Sequence, residues 1–311
     1  MIYNLIFKRE AIFTTGMTAL WLVSSFLLEL YIGDFTTGIF WYAPVEVFLL
    51  NVFIGLSSFY FNHILRSTKL VGNNDYSVMF LSAVLLSGLG YSSVSFQFVI
   101  GFFLLLALIS KIQQGFNQTE NIVAEFEMGV IVGLLMLINP LLIVALPFTI
   151  VALVNVKVNK WRGFTALVLG SLFVIALKWC WLFFMDYESL LGSLVLLDFR
   201  PKHFLIDGLK TQLACGVLGL VFLATINYFI RVSAQLNIKF RVFYKVWLWL
   251  SLFLLSGMLL FANELTWLQL LLYINLPLMV LFKVFLNTFS KKAVKELLIL
   301  LLLVAAIVSR L

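Results

Sequence analysis

Three carboxylates stand in a stretch of chain where charge is otherwise scarce. Glu29, Asp34 and Glu46 lie at the facing ends of two apolar runs. Ionisable groups beside long apolar runs are expensive to keep, so each is a candidate for chemistry. Carboxylates placed this way could take a proton as a general base or hold a divalent cation. The plainer reading is that interfacial water solvates them at helix ends. A second set is cationic. Lys178 sits inside LFVIALKWCWLFF, and Arg200, Lys202 and His203 share the short stretch FRPKHF. Such cations could hold a lipid phosphate. The alternatives are that Lys178 snorkels to a surface, that the loop meets headgroups without specificity, or that Asp186, Glu188, Asp198 and Asp207 pair with the cluster.

Several chemistries can be set aside. The sequence has no phosphate-binding glycine loop of the GxxxxGK type, no HExxH and no CxxC. It has 2 histidines, His63 and His203, too few for an iron site built from several imidazoles. The 2 cysteines, Cys180 and Cys215, lie in or beside apolar runs and read as small buried hydrophobes rather than a disulfide framework. The amides Asn51, Asn139, Asn227 and Asn275 fall inside apolar runs, where hydrogen bonding between helices is their usual role. Gly129 and Gly133 make a small-residue face for packing, and Glu127 reads as solvated. No resident cofactor is expected, apart from a divalent cation at the carboxylates.

The elements that must position these residues are apolar helices. Of the 311 residues, 63% are hydrophobic and only 11% are charged. Soluble domains carry about 25% charged residues. The apolar runs are continuous rather than alternating, which favours helices over barrel strands. The fold class is therefore all-α, a polytopic transmembrane helical bundle forming one integral membrane domain over 1–311. A ruler of roughly 20 apolar residues per span places helices near 11–31, 42–62, 77–90, 96–111, 126–139, 141–156, 163–184, 212–230, 244–261, 266–286 and 296–309. That is about eleven helices, several of them short or broken. The most telling stretch is 126–156, FEMGVIVGLLMLINPLLIVALPFTIVALVNV. An Asn-Pro step disfavours helix, so the spacing predicts a hydrophobic hairpin turning at Asn139-Pro140.

The net charge of +7 does not indicate nucleic acid, because the basic residues fall in short gaps between apolar runs. That is the pattern of membrane orientation. With the N-terminus inside, most of the 21 Lys and Arg fall on the inner side, among them Lys8, Arg9, Arg66, Lys69 and Lys111. Arg200, Lys202, Lys210 and Arg310 fall outside. The first helix lacks a small-x-small cleavage site and reads as a retained anchor. Segment 185–211 falls on the outer side and carries an apolar face of Leu190, Leu191, Leu194, Leu197 and Phe199, so it is expected to lie on the membrane. Membrane lipids are the expected partners, with other membrane subunits as a further possibility.

Two resemblances add to this. Phe126, Gly129, Gly133-Leu134, Leu137, Pro140 and Pro147, followed by Lys160-Trp161-Arg162, resemble an uncharacterised family of polytopic inner-membrane proteins of Bacteroidota. Leu276-Pro277 through Phe285 to Lys295-Glu296 is similar to that family too. The resemblance implies a multi-pass bacterial inner (plasma) membrane protein with a cytoplasmic N-terminus, and brings no activity. More weakly, the hairpin resembles part of the GT-C glycosyltransferases, which move sugars from polyprenyl-phosphate donors on the outer face. That likeness implies a catalytic carboxylate in the first outer loop, at Asp34 with Glu29 as the nearby alternate; Glu46 stays a candidate from the residues alone. Lys178, Arg200, Lys202 and His203 would hold the donor phosphate. The leading expectation is thus a GT-C-like transferase. The alternative is a non-enzymatic membrane subunit or scaffold, or a small transporter with Asn139, Asn227 or Glu46 around a midplane cavity made by broken helices.

Overall fold

The structure is a computed structural model that describes residues 11–32, 42–71, 75–88, 96–115, 121–156, 161–184, 223, 226–227, 238–261, 273–283, 286 and 292–308. The described residues are helical, with no strand among them. The helices are α1 (Ala11–Ile32), α2 (Tyr42–Ser67), α3 (Ser77–Gly88), α4 (Phe96–Gln114), α5 (Ile122–Ile138), α6 (Ala145–Val156), α7 (Trp161–Phe184) and α8 (Ile238–Phe261). They continue with α9 (Tyr273–Lys283) and α10 (Lys292–Val308). The helical class holds. Most boundaries fall within a few residues of those the apolar runs predict. The run at 212–230 and the segment 185–211 lie largely or wholly outside the described residues.

Three stretches, Val47–Ser67, Trp161–Trp181 and Phe240–Gly257, are long and apolar enough to cross a membrane. Two helices, α1 and α2, also bury polar side chains while presenting large apolar ones outward. On α1 the buried positions are Thr14, Thr18 and Ser25, while Leu20 is 67% exposed and Leu27 58%. On α2 the outward stripe is Val45, Phe48, Leu49, Val52, Leu56 and Phe59, at helical spacing, and Asn51, Ser57, Ser58 and Asn62 are turned in together with Leu50, Ile54 and Phe61. A water-facing helix shows the opposite pattern, with its charged and polar residues outward.

The chain forms two compact units. The first comprises Met1–Val99, Phe204–Asn237 and Asn275–Leu311. In it α1, α2 and α3 pack on one another, and α10 lies against α3. Between α1 and α2, Gly55 sits under Leu22, and the rings of Phe26 and Phe48 meet edge-on at 6.0 Å. Positions rise along α1 as they fall along α2, so the two helices are antiparallel. Between α1 and α3, the Trp21 indole N–H donates to Ser87 Oγ at 2.7 Å. The end of α2 closes in a left-handed cap. Lys69 has φ 60°, its N–H donates to Arg66 O at 2.9 Å, and the Leu70 N–H donates to Leu65 O at 3.0 Å. This is the Schellman arrangement, with lysine where glycine is the usual residue.

The second unit comprises Ile100–His203 and Ile238–Ile274. Its core is the pair α5 and α7, which touch along glycines. A Cβ on Gly129 would run into the Leu167 carbonyl, and one on Gly133 would come within 2.9 Å of Ser171 O and Val174 Cβ. From the other side, a Cβ on Gly170 would strike the Phe126 carbonyl and approach Val130 N to 3.0 Å. Each step along α5 is matched by a step forward along α7, so the two helices run parallel. The chain between them must therefore return, as the hairpin reading requires. It does so through a break at Asn139. This residue is extended (φ −141°, ψ 108°), as the proline after it demands, while its N–H still donates to Leu135 O. A 3-10 turn, Pro140–Val144, leads into α6. Pro147 falls in the first turn of α6, where a backbone N–H would lack a helical acceptor in any case. Helix α6 packs against α8.

Candidate functional site

The most concentrated polar chemistry among the described residues lies in the first unit, at the start of α3. The sequence there reads Asp75-Tyr76-Ser77 before the apolar run VMFLSAVLL, and the helix starts where a capping acid ahead of an apolar run would place it. Asp75 Oδ1 accepts the Ser77 N–H at 3.0 Å and the Ser77 hydroxyl at 2.5 Å. The first helical bond follows, from the Phe80 N–H to Tyr76 O at 3.3 Å. The local turn therefore fixes both the carboxylate and the hydroxyl before any distant residue takes part.

The distant residue is Lys283, the last of α9. Its ammonium donates to Ser77 Oγ at 2.6 Å and pairs with Asp75 Oδ2 at 2.5 Å. The three groups close a ring: the lysine donates to the serine oxygen, the serine donates to one carboxylate oxygen, and the lysine faces the other. The Lys283 side chain is 6% exposed and the Asp75 side chain 20%, and Ser77 is fully buried. Lys295 of α10 acts electrostatically on Lys283 from the same unit. Beside the ring, Arg66 at the end of α2 donates to the Tyr76 hydroxyl at 2.5 Å and lies over its ring, 4.7 Å from the centroid.

A serine hydroxyl within reach of a lysine suggests a nucleophile and its base, but the geometry gives these groups a different character. A lysine acts as base only when it can accept a proton, and here its nitrogen is the donor to Ser77 Oγ. A fully buried Ser77 already donates to Asp75. The arrangement is a buried charge pair with a hydroxyl bridge. In apolar surroundings such a pair is costly to desolvate and costly to break.

The residues predicted from sequence are placed as follows. Asp34, Arg200, Lys202 and His203 lie outside the described residues. Glu29 falls in α1 and Glu46 in α2, with only their backbone described. Lys178 lies in the last turns of α7, half-buried, followed by the exposed Trp179 and Trp181. Of the predicted group only Lys178 has a described side chain. Among the amides, Asn51 donates to Val47 O within its own helix at 2.9 Å, and Asn139 marks the break. Asn275 is buried, and among the described residues neither of its side-chain atoms has a hydrogen-bond partner, in contrast to the interhelical bonding expected of it. Glu127 is about half exposed, as expected, and pairs with Lys111.

Two acids of consequence were not singled out from sequence. One is Asp75. The other is Glu125, buried in α5, whose carboxylate lies where a Cβ on Gly163 would fall, in the first turn of α7. A carboxylate there faces the positive end of the helix. The signal for Asp75 was available as a capping residue. Nothing local marks Glu125 as buried.

A family model described as a family of unknown function, DUF6427, matches residues 1–310. No curated protein and no solved structure matches the chain.

Proposed function

We propose a function for a chain that belongs to DUF6427, a family of unknown function: a multi-pass membrane protein of the carrier class, in which the Lys283–Asp75 pair is a charge lock that opens and closes. Membrane residence is supported by the large apolar side chains that α1 and α2 present outward and by the three stretches long enough to span. The observation that carries the carrier reading is the Lys283 ammonium itself, held at 6% exposure by Asp75 and Ser77 where α9 ends and α3 begins. A scaffold gains little from such a pair, since well-packed apolar residues in its place are often as stable or more so. Ionisable pairs among membrane helices mark ion and solute paths. The helix interrupted at Asn139 is a second feature that carriers use. The transferase reading draws on Lys178 and on groups outside the described side chains, and is not adopted.

The test is access to the interior of α3. Ser82, 3% exposed and bonded only to its own helix at Met79 O, is replaced by cysteine in a chain carrying Cys180→Ser and Cys215→Ser. Labelling by a membrane-impermeant maleimide is followed in vesicles. A lock that opens gives slow labelling, raised tenfold or more by Asp75→Asn, since about 1.4 kcal/mol of lost closure suffices for tenfold. Equal protection in both proteins would remove the carrier reading.

A further inference from the structure

We propose that the end of α2, through His63, Arg66, Ser67 and Lys69, binds the phosphate headgroup of an anionic phospholipid whose chains lie along the outward stripe of the same helix. The proposal uses the membrane residence argued above and is independent of the charge lock.

The outward face of α2 changes chemistry once along its length. It runs through Val45, Phe48, Leu49, Val52, Leu56 and Phe59, all exposed. The next positions on that face are His63 and Ser67, both exposed, and the half-buried Arg66. At 3.6 residues per turn the whole series falls within about 100° of arc. The apolar part extends about 21 Å along the axis, and no polar residue interrupts it. The stretch Val47–Ser67 is 21 residues long, about 30 Å, which matches the hydrocarbon core of a bilayer. A span of that length brings His63, Arg66 and Ser67 to headgroup level at its end. On the lysine and arginine distribution, that end faces the inner leaflet.

The cations at this end lack acids. No carboxylate pairs with His63, Arg66 or Lys69 among the described residues. The nearest acid in the chain, Asp75, is already engaged by Lys283 and Ser77. A guanidinium offers five N–H donors. Arg66 uses one, toward the Tyr76 hydroxyl at 2.5 Å, and its plane is steadied by the Tyr76 ring 4.7 Å away. The remaining donors have no protein acceptor, on a group already fixed in place. Lys69 follows three residues on, exposed, and its N–H bond to Arg66 O ties the two together in the cap. Lys295 of α10 adds positive potential from the same unit. A cation at a helix C-terminus also suits the macrodipole. That accounts for a flexible lysine, but not for an arginine docked on a tyrosine with its other donors open. Phosphate takes a fork from arginine and a point charge from lysine. Basic groups immediately beyond an apolar span are the pattern that anionic headgroups select.

The experiment uses the full chain, purified in detergent, with dioleoyl-phosphatidylglycerol added and dioleoyl-phosphatidylcholine as the comparison. Retained lipid is counted by native mass spectrometry, and melting temperature is measured alongside. The expected result is retention of phosphatidylglycerol in preference to phosphatidylcholine, with a saturating rise in melting temperature. Arg66→Gln and Lys69→Gln should each cut that retention about fivefold. Arg66→Lys keeps the charge and loses the fork, so it should cut retention as well. Lys245→Gln, which removes an exposed cation of α8, should leave it unchanged. Equal retention of the two lipids would overturn the site. So would a loss in Lys245→Gln as large as in Arg66→Gln, which marks diffuse attraction. Displacement of the lipid by millimolar inorganic phosphate would make this a site for a soluble anion and overturn the lipid assignment. Lys69→Gln is an exposed change, and it decides the matter if Arg66→Gln fails to fold. Selective retention without any Asp75→Asn effect on Ser82→Cys labelling keeps the site and removes the carrier reading. The opposite pair of results does the reverse.

Discussion

The Lys283 ammonium donates to the Ser77 hydroxyl at 2.6 Å across 206 positions of chain. The bond joins the end of α9 to the first residue of α3. Asp75 neutralises the charge and orients the hydroxyl, so the contact works as one unit of three groups.

The energetics of that unit should be lopsided. Asp75→Asn leaves a buried ammonium unpaired and is expected to destabilise the protein by about 3 kcal/mol. Lys283→Met with Asp75→Asn removes both charges and should cost less than Asp75→Asn alone. Melting of the single and double variants in detergent, read as a double-mutant cycle, checks this. A double variant weaker than either single one would show that the charges do not act as a pair.

At the end of α2, Lys69 holds a left-handed conformation that costs a residue with a Cβ roughly 1 kcal/mol. Lys69→Gly should relieve this and stabilise the protein by up to that amount, offset in part by the looser unfolded chain. Lys69→Val should do the opposite. Both are exposed changes readable as shifts in melting temperature.

Where α5 meets α7, Gly129→Ala places a methyl group against the Leu167 carbonyl, a backbone atom that cannot swing aside. The expected loss is about 1–3 kcal/mol. Gly16→Ala, at a position with open space around it, should cost nothing comparable and serves as the control.

The parallel course of α5 and α7 sets an orientation that can be read with reporters. With the N-terminus inside, a cytoplasm-active reporter fused after Gln114 should be active, and one fused after Phe184 should be silent. The reverse pattern would invert the assignment of inner and outer faces made from the lysine and arginine distribution.

The helices were largely legible in the sequence because their signals are local. Tyr42–Ser67 and Trp161–Phe184 announce themselves by length and apolarity. The break at Asn139 follows from one proline. The charge lock was only half legible. Asp75 and Ser77 stand ahead of an apolar run as capping residues do, but their partner comes from another part of the chain. Lys283, beside other cations, reads as one more inner-face charge, and its burial depends on packing that no local pattern encodes. The acids and cations favoured from sequence, Asp34, Arg200, Lys202 and His203, fall on segments outside the described residues.

The polar side chains that α1 and α2 turn inward carry a consequence for handling the protein. Helices that bury Thr14, Thr18, Ser57 and Ser58 against their neighbours carry inward groups for which water competes. A surfactant that admits water to these groups will part the helices while each keeps its own backbone bonds. On warming in such a surfactant, the fluorescence of a variant keeping Trp21 as its one tryptophan, whose indole meets Ser87 of α3, should change well before far-UV dichroism falls, and a milder surfactant should bring the two transitions back together.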